Sequence, residues 1–358
     1  MKLFFDARYI RTDFHDGISR YSMELGGALA KLTDATFLIS DPAQAAFLPS
    51  AAKTLVIHAP TSAKEPFTAF ILNKYKPDVV YSPMQTIGSI GRRYKLILSL
   101  HDMIYYRHRL PPPSLGRHIR WGWWLFHASY TPQRLTLNGA DIVATVSETS
   151  KRDFEKVRLT KRPTIVIPNA PQRLVRYLNK PVALPKKAAT NLVYMGSFMP
   201  YKNVETLLLG MEHLPGYTLH LLSRITPERK AEYKKMTPRG AKVIYHNGVS
   251  DGEYARLLAD NALLVSASFD EGYGLPLAEA LELGVPVIVS DLTIFHEVAG
   301  DGALYFPAND PFVYAEKVKQ ASSPDSYASL AALGKTHIAQ YNWEQSAKTL
   351  LKAVNTLL

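Results

Sequence analysis

The sequence predicts an α/β protein built as two doubly wound domains that face each other across a cleft. Three observations predict it. Short β-branched or aliphatic runs alternate with longer helical stretches in both halves. The alternation restarts after a Pro- and Lys-bearing segment, and 358 residues with 47% hydrophobic and 20% charged side chains supply two cores rather than one.

Taken in order, the runs at 3–6, 36–40, 78–82, 95–100, 141–147 and 164–168 read as strands of the first half. The segment 179–187 has no periodicity, and its two prolines disfavour a continuous helix or a central strand. The domain boundary is expected there, giving domains 1–180 and 181–358. A second strand series follows at 192–196, 218–222, 242–245, 262–266 and 286–290. The last helix, about 343–357, is amphipathic, and its pattern leaves open whether it packs back on the N-terminal domain. Open α/β sheets bind ligands beyond the carboxyl ends of their strands, so the cleft is where chemistry is expected.

Composition closes several routes. The chain has no cysteine, which removes disulfides, thiolate zinc sites and cysteine nucleophiles, and fits a reducing cytosol. Asp6 and Arg8 interrupt the apolar start before a signal-peptide core forms, and no stretch reaches the ~18 apolar residues of a spanning helix. The expected location is cytoplasmic. The net charge of +11 is uneven: residues 1–185 hold 26 Lys+Arg against 13 Asp+Glu, and residues 186–358 hold 16 against 18. The first half should therefore meet something anionic: nucleic acid, a phospholipid surface or a phosphate-bearing substrate. A merely solvated basic face is the alternative.

The most informative stretch is EGYGLPLAEALELGVPVIVSD, beginning at Glu271. It follows an apolar strand, so Glu271, Gly272 and Gly274 should lie on a strand-to-helix loop, with Leu275 next and Pro276 at the first helical position. Gly284 and Pro286 supply the stop. Such a helix start presents backbone N–H groups that no helical carbonyl takes, and the glycines let a ligand approach the main chain, which suits a phosphate. Glu279, expected in the first turn, and Glu271, eight residues earlier, can each bind hydroxyls. Phosphate flanked by hydroxyl-binding carboxylates describes a nucleotide sugar. Alternatively, both glutamates only balance the helix dipole.

This stretch resembles the signature of the retaining glycosyltransferases of family 4, which have the GT-B fold of two Rossmann-like domains. The resemblance continues in YMGSFMPYKN (194–203), FHEVAGDGALYFP (295–307) and YNW (341–343). It extends more weakly into GISRY (17–21), HD (101–102), VSETSK (146–151) and IPNA (167–170), and so covers nearly the whole chain. It implies that Glu271 lies against the donor sugar, Glu279 binds the ribose and Lys202 holds the diphosphate. It also implies that His101 sits near the sugar and that the backbone of Gly17, expected in the loop after the first strand, approaches the diphosphate, with Asp102 orienting the loop or binding acceptor. Read without the resemblance, Lys202 is a solvated loop lysine, His101 a structural histidine and Gly17 an ordinary turn. The sequence departs from the family at Ser197, where an arginine is usual; Arg224, after the next strand, is expected to fill that space, with an exposed surface arginine as the other reading.

The implied reaction is hexosyl transfer with retained anomeric configuration by front-side attack, without protein nucleophile, metal or cofactor, the nucleotide-diphosphate sugar being a co-substrate. GDP-mannose is the expected donor, and a glycan or lipid-linked acceptor of the cell envelope the expected partner. The segment Arg117–His127 carries three of the four tryptophans, Trp121, Trp123 and Trp124, among basic residues that include Arg117 and Arg120. That composition suits an acceptor-side contact with an anionic membrane surface, which would make the protein peripheral at the inner face of the cell membrane. An aromatic helix packed on its own domain is the alternative. Two other functions compete: a nucleotide-sugar epimerase on the same fold, and a basic nucleic-acid-binding protein. The last requires no carboxylate-lined loop, and the chain shows no nucleic-acid module, so no nucleic acid is expected as partner.

Overall fold

A computed structural model of the chain describes residues 1–13, 16–111, 116–180 and 182–358. It contains two compact units, Met1–Asn169 with Tyr341–Leu358, and Ala170–Gln340. The boundary therefore falls before residue 180, because Leu174 is fully buried and the turn Leu174–Tyr177 packs on the helix Asp251–Ala259 of the second unit. Tyr177 also donates to Asp251 Oδ2 at 3.4 Å. The expected linker is thus part of the second unit, and its Pro181 lies outside the described residues. Re-divided this way, the first unit holds 25 Lys+Arg against 14 Asp+Glu and the second 17 against 17, so the whole net charge resides on the first.

The first unit contains seven parallel strands: β1 (Leu3–Asp6), β2 (Ala35–Ile39), β3 (Lys53–Val56), β4 (Val79–Ser82), β5 (Lys95–Ser99), β6 (Ile142–Thr145) and β7 (Thr164–Val166). Their order is β3-β2-β1-β4-β5-β6-β7. The central strands read as continuous apolar runs because helices cover both faces of such a sheet. Phe5 meets Phe37 and Tyr81 with ring centroids 5.4 and 5.2 Å apart. The helix Gly17–Leu29 seats closely on them because Gly26 has no Cβ; one would lie 3.2 Å from Phe37 and 3.3 Å from Phe5. The last helix, Trp343–Asn355, packs on Gly17–Leu29, and Ser346 donates to Pro168 O at 2.7 Å. It belongs to the first unit.

The second unit contains β8 (Asn191–Tyr194), β9 (Thr218–Leu221), β10 (Lys242–Tyr245), β11 (Ala262–Ser266), β12 (Val287–Ser290) and β13 (Ala303–Phe306), all parallel, in the order β10-β9-β8-β11-β12-β13. The two strands absent from the sequence-based series, β3 and β13, are both sheet edges. β3 is Lys-Thr-Leu-Val with three of four residues exposed, so it lacks the apolar run of a central strand; β13, Ala-Leu-Tyr-Phe, is apolar throughout, and edge position alone does not explain its absence from that series. In both sheets the strand order reverses, between β1 and β4 and between β8 and β11, and the loops leaving those carboxyl ends flank a crevice.

Candidate active site

The second unit's crevice is built by the loops that follow β8 and β11. After β8 the chain passes Gly196, where a Cβ would fall 2.7 Å from the Tyr194 hydroxyl, and that hydroxyl donates to Ser197 O at 2.7 Å. A tight turn, Pro200–Lys202, ends at Asn203 in the left-handed region with φ of 49°, a conformation asparagine tolerates better than most residues. The buried Asn203 amide donates to Ala267 O at 3.0 Å and Ala308 O at 2.7 Å. Phe269 N–H donates to Tyr201 O at 2.8 Å, tying the two loops together.

This bracing brings the Lys202 ammonium into contact with Glu271 Oε1, with side-chain exposures of 15% and 13%. Ser268 Oγ donates to the same carboxylate oxygen at 3.1 Å. Beyond Glu271, Gly272 is buried and Gly274 is left-handed with φ of 90°, where a Cβ would meet the Phe295 ring at 3.0 Å. The helix Leu275–Leu283 starts there without a side-chain cap, which leaves its first amides facing the loop. Pro276 is its second residue rather than its first, and Glu279 its fifth, one position further in than a start at Pro276 gives. Glu279 is 3% exposed. Together these place a cation, a braced carboxylate, a glycine turn and the positive end of a helix dipole at one switch point, an arrangement suited to holding an anion. Arg224 follows β9, the neighbour of β8; it is exposed and lies over Gly248, where a Cβ would come within 3.2 Å of its Cγ.

In the first unit, His101 follows β5 and its Nε2 pairs with Pro83 O at 2.9 Å, so that nitrogen carries the proton. Burial pushes its pKa down to about 4, which keeps the ring neutral at pH 7. Tyr21 stands edge-on to His101 at 4.8 Å and to Trp343 at 5.7 Å, and its hydroxyl continues through Tyr81 to Ser99 at 2.9 and 2.8 Å. The GISRY, HD and YNW motifs thus converge on one aromatic cluster. Asp102 Oδ1 accepts from Ile104 N–H at 2.9 Å. Gly17 is not on the loop after β1; it opens the helix Gly17–Leu29 behind the cap Asp16, whose carboxylate accepts from Ser19 N–H at 2.9 Å.

Sequence reading missed the charges at the first unit's switch point. Arg8 binds both oxygens of Asp6 at 2.8 and 2.9 Å, both oxygens of Glu65 at 2.7 and 2.8 Å, and His58 O at 3.2 Å. All five guanidinium N–H donors are used, and its pKa is raised by the two carboxylates against the opposing effect of burial. Ser82, at the end of β4, adds a hydrogen bond to Asp6 at 3.1 Å. The signal was present in part: Asp6 ends β1 and Arg8 follows it by two residues, so opposite charges stand close together at the carboxyl end of a strand.

The helix Arg117–His127 divides its tryptophans. Trp123 turns inward against Tyr105 and His127, with centroids 4.7 and 4.4 Å away, while Trp121 and Trp124 are 68% and 52% exposed. Arg120 is exposed beside them, Pro111, Arg120, Trp121 and Trp124 lining a shallow pocket; the Arg117 side chain lies outside what the structure describes.

Two family models match consecutive parts of the chain: Glycosyltransferase Family 4 over residues 15–170 and Glycosyl transferases group 1 over residues 175–337. The chain belongs to the family 4 glycosyltransferases. Its similarity to O-antigen chain mannosyltransferase B of Escherichia coli is 29% identity over 242 residues, 62% of each chain, so it spans less than two thirds of that relative. Among solved structures, sucrose-phosphate synthase from Thermosynechococcus elongatus superposes with a TM-score of 0.73 at 18% identity, covering 99% of this chain and 98% of that one. Anabaena Alr3699/HepE in complex with UDP and glucose superposes with a TM-score of 0.72 at 15% identity, covering 99% of each. At such identities the likeness shows the GT-B fold. Within this family 4 chain, the acidic motif lies on the loop after β11 and the helix that follows it.

Proposed function

We propose that the chain transfers a hexosyl group, mannosyl from GDP-mannose, from a nucleotide-diphosphate sugar to a glycan or lipid-linked acceptor in envelope polysaccharide assembly, with retention and without metal. The observation that carries this reading is the meeting of Lys202, Glu271 and the uncapped helix start at the β8/β11 switch point. Lys202 and the helix amides would stabilise the leaving diphosphate as its charge develops. Glu279 would hold the ribose and Glu271 the sugar, while neutral His101 would contribute a hydrogen bond rather than a proton. The mannosyl choice is supported by the likeness to a mannosyltransferase named for O-antigen chains, and the nucleotide site by a structural neighbour solved with UDP.

Thermal-shift titration with GDP-, UDP- and ADP-sugars tests the donor, since a ligand of the native state raises the melting temperature. GDP-mannose should give the largest shift; no shift with any of them overturns the reading. Product NMR should show the donor's anomeric configuration in the new linkage, and transfer should persist in chelator. Glu279→Ala should weaken donor binding, whereas Glu271→Ala should mainly slow transfer. An epimerase would alter the donor sugar with no acceptor present.

The outward Trp121 and Trp124 with Arg120, on the unit that holds all the net charge, support contact of this face with an anionic bilayer. Vesicles rich in phosphatidylglycerol should co-sediment the chain, with loss in the Trp121→Ser/Trp124→Ser variant and no pelleting on phosphatidylcholine. Among the described residues no helix is long and apolar enough to cross a membrane.

A further inference from the structure

We propose that Lys202 and Glu271 form an exchangeable ion pair. The diphosphate of a nucleotide sugar opens it by taking the Lys202 ammonium, and the Ser268 hydroxyl then keeps the released Glu271 carboxylate in place. The inference rests on the donor-site reading above and adds a role for the pair and for Ser268, which no motif assigned.

Both arms of the pair are held by main chain. Lys202 precedes Asn203, whose amide is anchored to Ala267 O and Ala308 O, and the Phe269–Tyr201 backbone bond joins the loop of Glu271 to the loop of Lys202. Contact between two such braced groups is a property of the loops rather than of wandering side chains. At 15% and 13% exposure the two charges are largely withdrawn from water, so each needs a partner, yet the site remains open enough for another anion to enter. A diphosphate carries more charge than a carboxylate and also gains the helix amides, so it wins the ammonium.

Exchange would strand Glu271 unless a second donor stayed behind. Ser268 is that donor: it is fully buried and gives its hydroxyl proton to the same Oε1 that Lys202 touches, at 3.1 Å. Its own position is fixed by Ser290, whose Oγ donates to Ser268 O at 2.5 Å, and by Ser266 Oγ at 3.2 Å. Ser268 is therefore a positioning residue for Glu271. After transfer, Glu271 reclaims Lys202 and so favours departure of the nucleoside diphosphate.

Calorimetric titration of the full chain with GDP and UDP tests the exchange. Glu271→Gln, which keeps shape and removes the competing charge, should tighten binding of the nucleoside diphosphate by about 3- to 10-fold. In a Lys202→Met background the same substitution should change affinity by less than about 2-fold, because the competition no longer exists. A gain that persists in that background assigns the effect to plain repulsion by Glu271 and overturns the exchange. So does Glu271→Gln that binds no more tightly than the unmodified chain. Ser268→Ala should lower kcat about 10-fold with donor KM within about 2-fold and an unchanged melting temperature. An unchanged kcat, or a fall that tracks lost stability, overturns the positioning role. If the unmodified chain binds neither GDP nor UDP at millimolar concentration, the donor-site reading itself falls and the exchange with it.

Discussion

The two units share a strand order and reverse it at corresponding places, yet they use those places in opposite ways. At the β1/β4 switch point the first unit closes a charge cluster on itself: Arg8 spends all five donors on Asp6, Glu65 and a backbone carbonyl, with Arg8 and Asp6 side chains wholly buried. At the β8/β11 switch point the second unit gives Glu271 only one of the three donors of Lys202 and leaves a helix start without a side-chain cap. Topology places a crevice in both. Donor arithmetic then separates them: the first is saturated by its own chain, and the second is where the donor site is proposed. Charge divides differently again, with the entire +11 on the first unit and none on the second. The proposed site for an anion and the long-range field that would attract an anionic surface thus lie on different units.

The largest test of this contrast is Arg8→Ala. It leaves Asp6 and Glu65 as buried carboxylates without their cation, and unfolding by denaturant should show a loss of about 3–5 kcal/mol. A stability close to that of the unmodified chain would break the comparison, since the cluster would then not be structural.

Next comes the pH response of His101. Its folded pKa of about 4 lies below the ordinary 6.5, so the unfolded chain binds the proton more readily. The contribution is complete above pH 6.5 and is lost as pH falls from there to about 4, by at most about 3 kcal/mol. Denaturation of His101→Asn measured from pH 7 to 4 should show a shallower decline than the unmodified chain; parallel curves would contradict the buried neutral ring.

Lys202→Ala should act on binding instead of folding. We expect donor affinity to fall by about 1.5–3 kcal/mol, the range for a hydrogen bond to a charged group, with the melting temperature nearly unchanged. Melting-temperature loss without affinity loss would make both switch points structural. The smallest effect expected is that of Gly274→Ala, which forces a Cβ into the left-handed region beside Phe295 and should cost about 1 kcal/mol in unfolding experiments. Its weaker binding of GDP-mannose in calorimetry would sharpen the contrast by showing that the turn itself serves the ligand.

Much of the fold was legible because buried parallel strands must be apolar on both faces, and eleven of the thirteen strands among the described residues were read from their runs. The edge strand β3, Lys-Thr-Leu-Val with three residues exposed, has no such run; β13, Ala-Leu-Tyr-Phe, does carry an apolar run but is absent from the sequence-based series. The Glu271 to Glu279 stretch was legible because a glycine turn and a proline-led helix start are local chemistry. Its finer placement was not: Pro276 and Glu279 each sit one position deeper because the helix opens at Leu275, immediately after the left-handed Gly274. Gly17 likewise reads as loop from the sequence, and the Asp16 cap places it at a helix start instead.

By itself, then, the amino-acid order determined the α/β alternation and the acidic loop before its helix, which depend on neighbours within a few residues, and the imbalance of charge, which is a count along the chain. Only tertiary structure decided that Lys202 meets Glu271, 69 residues apart, that Arg8 is saturated by Glu65, 57 residues away, and that the last helix returns to the first unit. Those outcomes follow from which loops the parallel sheets bring to the same strand ends, and periodicity along a chain carries no record of that pairing.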